Sequence, residues 1–120
     1  MPIQTINPAT EEIVKTFEEE TWESVDKKLA KAREAFGMWR NIKIEKRAKM
    51  VKRIAEVLRE GKEEYARLMT LEMGKPIVQA RLEVEKCAWA CEYVAQMGPE
   101  WLKDETVTTE AQKSYAHFEP

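Results

Sequence analysis

Three residues, Gly74-Lys75-Pro76, constrain this chain more than any others. A helical pattern runs into Gly74 and another begins at Pro76. Glycine closes a helix in the left-handed conformation without a Cβ clash. Proline opens one at its first position, where the missing N–H costs nothing. The triplet therefore predicts two helices joined by a very short link. Upstream, residues 63–73 carry Ala66, Met69 and Met73 toward a core. Downstream, Ile77, Ala80, Val84, Cys87, Ala88, Cys91, Val94 and Ala95 recur at helical spacing. Gly98-Pro99 predicts that this helix ends near Met97, with Trp101-Leu102 as an added turn.

Two further helices precede these. Thr21 reads as an N-cap, followed by Val25, Leu29, Ala32, Phe36 and Trp39 as one apolar stripe. Glu23 and Lys27 are placed to pair on the exposed side. A second helix spans residues 44–60, with Ala48, Val51, Ile54, Ala55 and Leu58 inward, and Gly61 breaks or bends it. Both ends read as strands. Residues 4–6 and 13–17 flank the turn NPATEE, where Asn7 and Pro8 are turn formers. Residues 105–109 and 113–118 alternate in polarity. The predicted fold is mostly α, in the α+β sense: about four helices with short strands at both ends.

Composition removes several function classes. Hydrophobic residues are 43% and charged residues 35% of 120, with a net charge of −2. That is too apolar for disorder and too charged for a membrane protein. The start, MPIQTINPA, has neither the basic flank nor the apolar run of a secretory leader. The four glycines, Gly37, Gly61, Gly74 and Gly98, are all more than ten residues apart, so no glycine-rich phosphate loop exists. Cys87 and Cys91 lie four apart, which on a helix separates their Cβ atoms by about 5–6 Å. A disulfide needs about 3.5–4.5 Å. They read as reduced thiols, small core residues of a cytoplasmic protein. Together with the single histidine, His117, they cannot complete a four-ligand zinc site. Glu83 and Glu85 project from different helix faces and are no catalytic pair. The basic run at residues 43–53 reads as a solvated helix face. No aromatic residue interleaves it, so nucleic-acid binding is not expected. The residues by themselves define no active site.

Several phrases nevertheless resemble, in order, the aldehyde dehydrogenase superfamily. INPATEEIVKTF is similar to its opening strands. AFGMWRNIKIEKRAKMVKRIAEVLRE resembles the helices that follow. LEMGKPIVQARLEVEKCAWACEYVA resembles the stretch around its Glu-x-Gly-Lys-Pro turn, and KSYAHFEP the strand leading to its first nucleotide-binding strand. The wording is most like that of succinate-semialdehyde dehydrogenases. The resemblance implies the N-terminal part of that α/β fold. Residues 1–103 would be strands and helices flanking a nucleotide-binding sheet absent from this chain. Residues 104–120 would belong to an oligomerisation sheet.

The implied activity is NAD- or NADP-dependent oxidation of an aldehyde to an acid. In the family a cysteine thiolate attacks the aldehyde, hydride passes to nicotinamide, and a glutamate activates water. The motifs for the nucleophile, the base and the dinucleotide are not in this chain. No catalytic or cofactor-binding residue is therefore assigned, and neither bound cofactor nor catalysis is expected of the chain alone. The resemblance also implies a structural monovalent cation. Its ligands here would be the backbone carbonyls of Thr5 and Ile6 and, on the helix after the turn, Glu83. A further ligand falls outside the chain, so the site would be incomplete. Three positions depart from the family: Glu11 replaces a usual glycine, Gly98-Pro99 interrupts a usual helix, and His117 stands where arginine is common. Docking with the rest of a dehydrogenase, or self-association, is the expected partnership. A stand-alone helical interaction module is the alternative.

Overall fold

The computed structural model describes residues 3–119; Met1, Pro2 and Pro120, which closes the last quoted phrase, lie outside the described residues. The order is β1 (Ile3–Ile6), β2 (Ile13–Phe17), α1 (Trp22–Trp39), α2 (Ile44–Glu60), α3 (Lys62–Met73), α4 (Ile77–Trp101), β3 (Glu105–Thr106) and β4 (Tyr115–Ala116). The mainly helical fold with strands at both ends is the one the sequence predicts. β1 and β2 form one antiparallel pair, and β3 and β4 another.

The packed unit is α2, α3 and α4, with α4 laid against both of the others. Its core is small. Ala80, Val84 and Ala88 of α4 face Ala55 of α2 and Ala66 of α3, and these five residues are buried. Alanine methyl groups let helix backbones approach closely, and each contributes little transfer free energy, about 0.8 kcal/mol per buried carbon. No large side chain among the described residues is fully buried.

Thr21 caps α1 as expected, accepting a bond from the Ser24 N–H at 3.2 Å. The predicted α1 stripe finds no partner. α1 has no buried residue and no extensive packing with another described element. Leu29 remains 62% exposed and Phe36 45%. The radius of gyration is 20.7 Å, against about 14 Å for a compact domain of this length.

Gly74 ends α3 with φ 68° and ψ 16°, its N–H bonded to the Thr70 carbonyl at 3.0 Å. Pro76 sits one position earlier than predicted, as the N-cap of α4. Its ring fixes φ at −53°, its ψ of 132° is extended, and its carbonyl accepts from Ala80 N–H at 2.9 Å. A Cβ on Gly74 would also meet Pro8 Cγ at 3.0 Å. The N-terminal turn thus rests on the α3–α4 junction.

That turn is held by hydrogen bonds to Asn7. Asn7 Oδ1 accepts from Ala9 N–H at 3.0 Å, and the Asn7 carbonyl accepts from Glu11 N–H at 2.8 Å. Glu11 takes the left-handed conformation itself, φ 61°. The bonds on either side hold that backbone in place. Beyond it the ladder slips by one residue between Thr5 and Ile6.

Four expectations are corrected. α4 does not stop near Met97. It carries Pro99 inside its last turn and runs to Trp101, because Leu102 N–H still bonds Gly98 O at 3.1 Å and the Trp101 ring meets Tyr93 edge-on at 5.6 Å. Cys87 is exposed and Cys91 half-buried. The buried stripe 80-84-88 advances four residues at a time and drifts past Cys87. Ile54, Met73 and Val94, also predicted to face inward, are exposed. The terminal strands shrink to two residues each, extended by a Val107 N–H to Ser114 O bond of 2.9 Å, and their residues are exposed.

Gly74→Ala should destabilise the helical unit by about 1–2 kcal/mol, the cost of a left-handed L-residue, with the Pro8 contact adding to it. Urea unfolding followed by circular dichroism measures this; an unchanged midpoint would mean that the junction relaxes freely.

Candidate functional site

The helical unit has two unlike surfaces. One carries a lattice of ion pairs across the helix boundaries. Arg59 of α2 grips Glu92 of α4 with both guanidinium nitrogens, at 2.5 and 2.9 Å, and gives its Nε to Glu85 at 2.7 Å. Lys62 of α3 reaches the other Glu85 oxygen at 3.3 Å. Arg81 of α4 binds Glu63 of α3 in the same forked way, at 2.9 and 2.8 Å. Hydrogen bonds from Arg59 hold the Glu85 and Glu92 carboxyls below their ordinary range, and Arg81 does so for Glu63. Each carboxylate is thus kept ionised by its partner.

The other surface is apolar and open. Val78, Leu82 and Trp89 along α4 are 63%, 64% and 60% exposed. Trp89 stacks on Tyr93 at 5.6 Å. Leu29 and Phe36 of α1 are exposed apolar side chains as well.

The residues singled out from the sequence fall as follows. Thr5 is half-buried, and its Oγ1 is buried with no hydrogen-bond partner in the chain. Ile6 is exposed at the end of β1, and β1 packs against α3. Glu83, on α4, bonds Lys75 of the Gly-Lys-Pro link at 2.9 Å, and that ammonium holds its carboxyl below the ordinary range. Lys75 thus already supplies one positive charge to Glu83. In the basic run, Arg53 is bound to Glu56 at 2.7 Å and Glu60 at 3.1 Å. Lys49 and Lys52 line a groove of about 580 Å³ with Glu45 and Glu92. Those charges are partly answered within the chain. No described helix is long and apolar enough to cross a membrane.

The sequence reading passed over two features. One is the contact of Pro8 with Gly74, two positions far apart in the chain. The other is the partner of His117: its Nδ1 lies 2.5 Å from Asp104 Oδ1 and so ties the end of β4 to the residue before β3. The only available signal was a lone histidine within a segment that reads as a strand.

Comparison with known proteins agrees with this geometry. The profile of the aldehyde dehydrogenase family matches residues 1–120. A probable NADP-dependent succinate-semialdehyde dehydrogenase of Synechocystis is 42% identical over 120 residues, which is all of this chain and 26% of the relative. An Escherichia coli succinate semialdehyde dehydrogenase is 38% identical over 97% of the chain and 25% of its own length. Among solved structures, the Streptococcus pyogenes succinic semialdehyde dehydrogenase in complex with NADP+ superposes with a TM-score of 0.87 at 32% identity. That match covers 93% of this chain and 25% of the other. A glyceraldehyde-3-phosphate dehydrogenase of Methanocaldococcus jannaschii, complexed with NADP, gives 0.84 at 27% identity, over 94% and 25%. The chain belongs to the aldehyde dehydrogenase family and spans about a quarter of the length of these relatives.

The Asp104 carboxylate beside His117 raises its pKa above the ordinary 6.5. A raised folded value means that the pair's contribution is fully present below the unfolded pKa and is lost as pH rises through the folded one. Amide exchange across β3 and β4 should therefore quicken as pH passes upward through the His117 titration, beyond the intrinsic pH dependence of exchange. In Asp104→Asn the His117 titration, read from its ring protons by NMR, should return toward 6.5. An unmoved titration would remove Asp104 as the cause.

Proposed function

We propose that this chain is the N-terminal structural part of an NADP- or NAD-dependent succinate-semialdehyde dehydrogenase, which oxidises the aldehyde to succinate. The observation that carries this reading is the match over the whole chain to succinate-semialdehyde dehydrogenases of several organisms. Its part is to support the chemistry. The open faces of α1 and α4 dock on the remainder of the dehydrogenase, or on another copy where no remainder is present. Residues 104–120 contribute to the oligomerisation sheet, and the protein works in the cytoplasm. Nothing specific favours the alternative of a stand-alone interaction module.

The same proposal gives the carbonyls of Thr5 and Ile6 and the carboxylate of Glu83 to a monovalent-cation shell completed from outside this chain. A bound cation would lock the N-terminal hairpin against the helices. Lys75 competes with it for Glu83.

Mixing this chain with a separately folded fragment carrying the nucleophile and dinucleotide motifs should restore NADPH or NADH formation from succinate semialdehyde, with neither part active alone. A mixture that stays inactive, although both parts are folded, would count against the docking role. In the active mixture, replacing sodium and potassium by tetramethylammonium at equal ionic strength should lower the melting temperature. Glu83→Gln should shrink that difference; an undiminished difference would take Glu83 out of the shell.

A further inference from the structure

We propose that Cys87 and Cys91 form a chelating site for one soft, two-coordinate cation, of which copper(I) is the biological example. Both thiols are free, Cys87 is exposed and Cys91 half-buried, and both lie on the continuous helix α4. At helical spacing i and i+4 their side chains share a face, with Cβ atoms about 5–6 Å apart. A disulfide needs about 3.5–4.5 Å and would require the helix to break. A metal held between two thiolates inserts two metal–sulfur bonds where a disulfide has one S–S bond, so it tolerates a wider Cβ separation than a disulfide does. The intact helix therefore suits a bridging metal better than oxidation to a disulfide.

The identity of the ion follows from the ligands. Thiolates select soft metals such as copper(I), whereas carboxylates, carbonyls and water select hard ones. Among the described residues no group of three or more His, Cys, Asp and Glu side chains could hold a metal. Glu83, one turn before Cys87, is bonded to Lys75, and Glu92, next to Cys91, is bonded to Arg59. Two sulfurs are thus the donors on this face, which suits an ion content with two ligands. On binding, two S–H protons leave to solvent and two sulfur–copper bonds form. One copper(I) and two thiols give a bis-thiolate complex of charge −1 and two protons, with no change of oxidation state.

Anaerobic titration of the reduced chain against the bathocuproine disulfonate complex of copper(I) tests this, with the loss of the chelator's colour as readout. Transfer should saturate at one copper per chain, with the complex sedimenting at the same oligomeric size as the copper-free chain. Cys87→Ser carries the test, because that side chain is exposed and its loss leaves the helix packing alone. Chelation by linked donors exceeds single-site binding through effective concentration, so C87S should bind at least about a hundredfold more weakly. Cys91→Ser should do the same, with circular dichroism showing that α4 is retained. Unchanged affinity in C87S would overturn the proposal. So would saturation at one copper per two chains, which would mean bridging between molecules.

Discussion

The close approach of α4 to α2 and α3 through Ala55, Ala66, Ala80, Val84 and Ala88 is the constraint on which the rest of this structure depends. Methyl-sized contacts set helix spacing well but remove little apolar area from water. The helices therefore need a second tie at their edges, and Arg59, Lys62, Glu63, Arg81, Glu85 and Glu92 supply it. Single exposed pairs add little to stability, whereas forked arginine–carboxylate pairs joined in a network fix geometry. The result is a unit whose register is well specified and whose hydrophobic core is thin.

A thin core leaves apolar side chains without a place inside. Leu29, Phe36, Leu82 and Trp89 are the clearest cases. The chain spans about a quarter of the length of its relatives. The N-terminal hairpin is tied in differently. Pro8 sits over Gly74, so one glycine answers two demands, a left-handed backbone and room for a proline ring. Two of the phrases that resembled the family, NPAT and Gly-Lys-Pro, are thus one contact in space.

Much of the architecture was legible locally. Thr21, Gly61 and Gly74 marked boundaries where the structure has them, because caps and left-handed closures are decided by one or two residues. Pro99 was misleading for the opposite reason. A proline late in a helix forfeits one backbone bond, and the Tyr93–Trp101 contact and the following turn outlast that loss. Periodicity also named Cys87, Ile54 and Met73 as inward, since a stripe drawn from spacing alone is wider than the ridge that meets a neighbour. For the candidate site, Thr5, Ile6 and Glu83 came from resemblance. Spacing could not reveal that Lys75 holds Glu83, because the two are on either side of a helix start.

The sequence by itself determined the four helices, most of their boundaries and the family, since each rests on local backbone preference or on an ordered set of phrases. The tertiary structure decided which residues of each stripe are buried, which charges pair across helices, that Glu11 adopts a positive φ, and that α1 remains uncovered. Those outcomes depend on where neighbouring elements lie. Burial and pairing are properties of two surfaces meeting, and a one-dimensional pattern records only one of them.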